Sequence, residues 1–542
     1  MHLGTHAPRA LASTFATSVT VSLTMSLMMS LTAPFLLGGC AVAPREPVPG
    51  RAAAEAAAEL DREVFGVALP APPRDTAASV VPALAIDRWW VHFNDPALNT
   101  LIEGALTRNA DLGIAAARLR EARAQLDEAR GAQSPTLDLQ ASSGRARASA
   151  DSLGGSPGET SSGRGHTGSA HKVALAAQYE VDLWGRLAAG TDAARARLAS
   201  QAWAHAAIEW GLSAQLAEVH FSLRTMQRQR EIAEAVRLGR EQTVALRRTG
   251  HAAGVGSEFE LRRAEAELAS AETTLAGLQR QQLALESARA LLAGTPLAQL
   301  AAAPSADVPL DPAAAFEARL PQGDMATLLL RRPDLRQAEA RLAATRADIG
   351  AARAATLPAL RLSGSVGSDV RELSNLFNGP GFAWALAASA AQSLFDGGRA
   401  GARIEQAQAR SDAALLAYRQ SVATALAELR EAYAAFDTAE RALAAERRRV
   451  AALAQAMRLA RLGHEAGVLP QIDALDAERS HFQAQLAEVD TYRDRLLGQV
   501  AAFKALGGGH AADHQVGGGD AAPEHGGGGG APPPPGSGGP PP

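Results

Sequence analysis

The sequence predicts a mainly α-helical fold with a small β component, built twice over within one chain. Three observations carry that expectation. Two stretches run without proline, between Pro157 and Pro296 and between Pro380 and Pro470, and they carry apolar residues at helical intervals. Four shorter segments alternate in character, the period of a strand with one apolar face. The chain also repeats itself, since GHAAGV at 250–255 returns as GHEAGV at 463–468, a shift of 463 − 250 = 213 positions.

Composition narrows the possibilities. With a formal net charge of -4 over 542 residues, the chain offers no electrostatic footprint for nucleic acid, and none is expected as a partner. Aromatic residues are only 4%, which favours long helices packed through small side chains over one bulky core.

In chain order, residues 1–39 read as an export signal. A weakly basic start (His2, His6, Arg9) leads into a Leu/Met/Ala/Ser/Thr-rich stretch from Leu11 to Leu37, with no acidic residue before Glu46. The single cysteine, Cys40, excludes an intrachain disulfide framework. It follows Leu37-Gly38-Gly39, which together with it resembles a bacterial lipobox. That resemblance implies that Cys40 is the first residue of the mature chain and carries its lipid, and Ala41 after it points to the outer membrane. Residues 40–88 are rich in Pro and Ala and suit a tether.

The ordered body is expected to begin at Trp89-Trp90, where Asp95-Pro96 supplies an N-cap and a proline at the first helical position. A first repeat is assigned to 89–300, a linker to 301–323 and a second repeat to 324–507. The Gly/Pro/His-rich tail at 508–542 cannot bury a core; His510, His514 and His525 within it read as solvated. Arg186–Gly294 aligns with Arg399–Gly507 at the constant shift of 213. Earlier the shift is 223, pairing Asp111-Leu112 with Asp334-Leu335 and Pro135 with Pro358. Copy one therefore holds ten extra residues (223 − 213), expected in a polar surface loop within 143–170.

Each repeat has the same order. A short and a longer amphipathic helix come first, at 96–108 and 110–133 and again at 324–331 and 334–356. Two strands follow, at Thr136–Ala141 and Lys172–Leu183, then at Ala359–Val366 and Phe382–Phe395. In the second of these, Val173, Leu175, Ala177, Tyr179, Val181 and Leu183 share one face, while Lys172, Gln178, Glu180 and Asp182 share the other. The rest is helix. Leu212, Leu216, Val219, Leu223 and Met226 recur at spacings of 4-3-4-3, as do Val422, Leu426, Leu429, Tyr433 and Phe436. A helix from Arg186 to Thr249 would be about 96 Å long, about three bilayer cores, and far too polar for lipid. GHAAGV and GHEAGV are where each long helix ends and the chain turns back, into Glu258–Leu292 and Gln471–Leu506.

A physical constraint then acts on the strands. Beyond the export signal no apolar run is long enough for a transmembrane helix, so a membrane crossing would require a closed β-barrel. Four strands cannot close one, since about eight are needed merely to fill a barrel with side chains. Several chains must share it; three would give twelve strands above a twelve-helix tube.

The segments WWVHFNDPALNTLI (89–102), YEVDLWGRL (179–187), LFDGGR (394–399), KALGGG (504–509) and the paired G-x-x-x-G-V tips resemble the outer membrane factor family, TolC-like, and its NodT-type lipoprotein branch. The resemblance covers nearly the whole mature chain. It implies a homotrimer with a twelve-stranded barrel in outer-membrane lipid and a helical periplasmic tunnel. It also implies a periplasmic adaptor and an inner-membrane transporter, of RND type, as partners. The function it implies is a passive exit duct for small molecules such as drugs or toxic compounds. Protein secretion through the same duct is an alternative, and a periplasmic adaptor lipoprotein is another, although two hairpins each preceded by a strand pair argue against an adaptor.

The residues expected to matter are few. Gly250, Gly254 and Val255 with Gly463, Gly467 and Val468 form the tips, where an adaptor would dock. Glu465 and Asp473 are candidate gate carboxylates, because Gly256 and Leu469 stand where the family often places an acidic residue. Asp182, Trp184 and Gly185 with Asp396, Gly397 and Gly398 are strand-to-helix turns, expected to be structural. His251 and His464 read as turn residues rather than metal ligands. No Ser/His/Asp, metal-ligand or phosphate-loop constellation is present, so no enzyme activity, metal or cofactor is expected.

Overall fold

Capping chemistry decides where the chain turns helical. In the computed structural model, which describes residues 88–148, 166–296, 331–377 and 381–507, the Asp95 carboxylate accepts hydrogen bonds from the N–H groups of Ala97 and Leu98 and so starts α1 (Pro96–Arg108). Asn109 caps α2 (Ala110–Gly131) in the same way, through Asp111 and Leu112. Strands β1 (Thr136–Ala148) and β2 (His166–Val181) follow, then the helical hairpin α3 (Arg186–Ala252) and α4 (Glu258–Ala293). The second copy supplies α5 (Pro333–Ala354), β3 (Ala359–Val370), β4 (Phe382–Ala391), α6 (Arg399–Glu465) and α7 (Gln471–Ala505). Helices α3 and α6 each hold 67 residues, about 100 Å of helix, and begin and end 213 positions apart. The expectations for the signal, the tether up to 87, the linker, the tail and the helix at 324–331, except Arg331, which is a turn, lie outside the described residues.

Three expectations are corrected. The loop expected at 143–170 is strand at both of its ends, and its middle, 149–165, lies outside the described residues: β1 runs to Ala148 and β2 starts at His166, in continuous register from Thr136↔Gln178 to Ala148↔His166. An antiparallel ladder pairs the backbone whatever the side chains, so a Ser/Gly/Arg-rich stretch can still extend a hairpin. Strand β4 stops at Ala391 rather than Phe395, because Gly397 and Gly398, both with positive φ, are already turning the chain into α6. Strand β2 stops at Val181, which releases Asp182 and Leu183 into the turn before α3.

The four strands form one antiparallel sheet in the order β1-β2-β3-β4. Helix α3 is the spine. It packs on α2, α4, α5 and α7. The main core lies midway down, where the 3-10 turn Trp89–Phe93 seats Trp89 and Phe93 against Trp210 and Phe221 of α3 and Phe503 of α7. Trp89 stacks on Phe503 at 5.7 Å, and Phe93 meets Phe221 at 5.0 Å. A smaller core joins Leu335 of α5 to Tyr418, Val422, Leu426 and Leu429 of α6 and to Leu506.

An ion cluster closes the main core. Asp95 Oδ2 accepts from His220 Nε2 at 2.9 Å and from Arg224 Nη1 at 2.6 Å. Burial by itself would raise the Asp95 pKa; the hydrogen bond from His220 and the charges of His220 and Arg224 outweigh it and lower the pKa to about 2. One carboxylate therefore starts α1 and fastens it to α3.

Candidate functional site

The sheet has two unlike faces. The register places Leu139 opposite Leu175, Leu175 opposite Val366, and Val366 opposite Trp384. Leu137, Tyr179, Leu362, Phe382 and Leu386 lie on the same face by the two-residue period. These side chains point outward without cover: Leu137 is 70% exposed, Trp384 72% and Leu386 79%. The opposite face carries Asp138, Gln140, Lys172, Gln178, Glu180, Ser363 and Ser365. So large an exposed apolar surface marks contact with lipid or protein, and each strand meets the length of about 9–11 residues that crosses a bilayer. Among the described residues no helix is long and apolar enough to cross a membrane.

Two junctions hang the long helices from this sheet. Before α3, Asp182 accepts from the N–H of Ala188, Arg186 pairs with Glu180 at 2.6 Å, and the Trp184 indole donates to the Pro358 carbonyl at 2.8 Å. Before α6, Asp396 accepts from the N–H groups of Gly398 and Ala400 at 2.9 and 2.7 Å. Gly185 and Gly398 occupy the N-cap positions with φ of 74° and 85°. Both copies thus start the long helix from a positive-φ glycine, with the aspartate that binds its first turn displaced by one repeat position.

At the other end the tips match bond for bond. The Gly250 carbonyl accepts from Val255 and Gly256, and the Gly463 carbonyl from Val468 and Leu469. Gly254 and Gly467 take φ of 75° and 72°, a conformation that costs other L-residues about 1–2 kcal/mol. A ring nitrogen of each tip histidine closes its own turn, His251 Nδ1 lying 3.3 Å from the Gly256 carbonyl oxygen and His464 Nδ1 3.2 Å from that of Leu469. Val255 and Val468 are 85% and 76% exposed. Glu465 ends α6 and Asp473 lies in the first turn of α7; both carboxylates are exposed. Cys40 lies outside the described residues. Among the described residues no cluster of three metal-ligating side chains occurs.

The structure adds a contact that periodicity did not single out. Glu478 of α7 pairs with Arg461 of α6 at 2.9 Å and with Arg240 of α3 at 3.1 Å, so it joins the two hairpins near their tips. Its repeat partner Glu265 pairs, among the described residues, with Arg248 and Arg262 of its own hairpin. The signal was a break in the repeat, because the position 213 beyond Arg240 is Leu453.

Comparison with known proteins agrees with this geometry. The family model for outer membrane efflux proteins matches residues 101–295 and 325–508. The solvent efflux pump outer membrane protein SrpC of Pseudomonas putida is 32% identical over 429 residues, 79% of this chain and 88% of that protein. Outer membrane protein OprJ of Pseudomonas aeruginosa is 33% identical over 438 residues, covering 80% and 89%. The open state of the Neisseria gonorrhoeae MtrE outer membrane channel superposes with a TM-score of 0.69 at 32% identity, over 82% of this chain and 96% of that one.

Proposed function

The chain belongs to the outer membrane efflux protein family and is an outer-membrane component of an efflux system; from that premise we propose that three copies close one barrel and form its exit duct. The observation that carries this is the open sheet of four strands with one apolar, uncovered face. In lipid, the edges β1 and β4 would leave backbone groups unpaired, and pairing β4 of one protomer with β1 of the next satisfies both. Three copies give about twelve strands, enough for an aqueous lumen, lined by the polar face of the sheet.

The long helices then continue the lumen into the periplasm, and the tips meet a periplasmic adaptor that links the duct to an inner-membrane transporter of RND type. Lipidation at Cys40 anchors the tether in the periplasmic leaflet. Small organic molecules are the substrate class, in keeping with the solvent named for SrpC. The duct does no chemistry; its task is a polar path that opens at the tips. No metal or cofactor takes part.

The experiment is to isolate the full-length protein in mild detergent, measure its mass, and record single-channel conductance in a planar bilayer, alongside drug accumulation in cells. A conducting trimer is expected. Gly254→Leu combined with Gly467→Leu should keep the trimer and impair export, because both sites need positive φ. A stable, membrane-inserted monomer would sink the shared barrel, and normal export by the double variant would remove the tips from the gate.

A further inference from the structure

The connection between β3 and β4 does not simply loop over. The 3-10 turn Leu373–Asn375 sends the chain back so that Leu376 is buried while Phe377 is 89% exposed. Together with Leu139, Leu175, Val366 and Phe382 of the apolar face, these two side chains border a groove of about 400 Å³, within the range of about 300–1,000 Å³ usual for ligand sites. Its one polar side chain is Ser368, whose hydroxyl is enclosed and has no hydrogen-bond partner among the described residues.

Position in the sheet says what fills it. The helices leave the sheet at the Val181↔Leu360 end, and the groove lies toward the His171↔Val370 end. With the helices in the periplasm, that end faces the outer leaflet. The floor of the groove is continuous with the face that meets lipid, so a hydrocarbon chain can enter from the side without crossing water. We propose that this groove binds one acyl chain of an outer-leaflet membrane lipid. The inference rests on the apolar face being the lipid-facing one. Each protomer then carries its own lipid, which pins the β3–β4 turn against the barrel wall. The acyl chains expected on Cys40 are excluded as occupants, because they sit in the opposite leaflet.

Native mass spectrometry of the full-length trimer tests this, after stripping lipid in detergent and adding dipalmitoyl phosphatidylethanolamine. Wild type should retain one lipid per protomer. Val366→Trp fills the groove with another apolar group and should lower retention about tenfold, near the loss expected when about two methylenes lose their burial. Leu386→Trp, on the same face outside the groove, should retain lipid as wild type does, and so should Cys40→Ser. If Val366→Trp does not trimerise, Leu376→Gln reports the same loss from the turn. Equal retention by wild type and the groove variants, or no retained lipid on a trimer that inserts and conducts, would overturn the groove while leaving the duct intact. A chain that never inserts into vesicles would instead remove the lipid-facing reading.

Discussion

The belt around Trp89 and the tips around Gly254 and Gly467 are built on the same helices, yet they are held together in opposite ways. At the belt, Trp89, Phe93, Phe221 and Phe503 are fully enclosed, and Asp95 hydrogen-bonds a buried histidine and a buried arginine. At the tips, Val255, Phe259 and Leu246 are 85%, 73% and 71% exposed, and an ion pair of Glu478 with Arg240 links the hairpins. Elements that open are drawn from the least stable parts of a fold. From this contrast, motion is expected at the tips, with the belt as the fixed collar from which they swing.

The largest effect should come from breaking the collar. Asp95→Ala removes the cap of α1 and leaves His220 and Arg224 without that carboxylate, a loss of about 3–5 kcal/mol for one partner of a buried pair. It should be read as a lower thermal midpoint of the detergent-solubilised trimer. The pH dependence has a definite sign. With the pKa lowered to about 2 from an ordinary value of about 3.9, the unfolded chain binds the proton more readily. Asp95 therefore contributes about 2 kcal/mol above pH about 4, and that contribution fades as pH falls toward 2. The variant should show a shallower loss of stability across that interval. An unchanged midpoint and acid profile would mean that the collar does not depend on this cluster.

Much of this contrast was legible in the sequence and part was not. The helix limits followed from Asp95-Pro96, from the 4-3-4-3 spacing and from the glycines of the repeat, all local signals. The reach of β1 and β2 into 142–148 and 166–171 was hidden, since Ser, Gly and Arg there carry no apolar alternation, and only the partner strand reveals the pairing. His220 and Arg224 sit one helical turn apart within a long charged helix; that they face Asp95 is a matter of tertiary packing, which spacing along one helix does not encode. The tip histidines gave a signal of the opposite kind, a repeated residue whose role turns out to be closing its own turn.

A middle-sized effect should separate the two copies at the tips. Glu478→Gln breaks contacts to both hairpins and leaves Arg240, mostly buried, without that partner, at a cost of about 1–2 kcal/mol for a partly screened pair. Glu265→Gln breaks only contacts within one hairpin. Conductance of the reconstituted trimer should rise with Glu478→Gln and stay near wild type with Glu265→Gln, and the thermal midpoint set by the collar should move little in either. Equal conductance in the two variants would show that the joint between hairpins does not hold the tips closed.

The smallest effect on stability should come from Glu465→Gln combined with Asp473→Asn, and its value lies in what else it changes. Glu465 stands at the C-terminal end of α6, where the helix dipole disfavours a negative charge, and Asp473 stands in the first turn of α7, where the dipole favours one. Neutralising both sets a small gain against a small loss, and the thermal midpoint should not move. Ion selectivity answers to a different property. In a trimer each carboxylate occurs three times around the axis, and a ring of like charge at a narrow mouth concentrates cations. If the tips converge on the lumen, the reversal potential across a salt gradient should shift toward weaker cation preference, most strongly at low ionic strength, where screening is least. A reversal potential unchanged at low salt would place both carboxylates on the outer surface of the tube. The narrowest point of the duct would then be set by bulk at Val255 and Val468 rather than by charge.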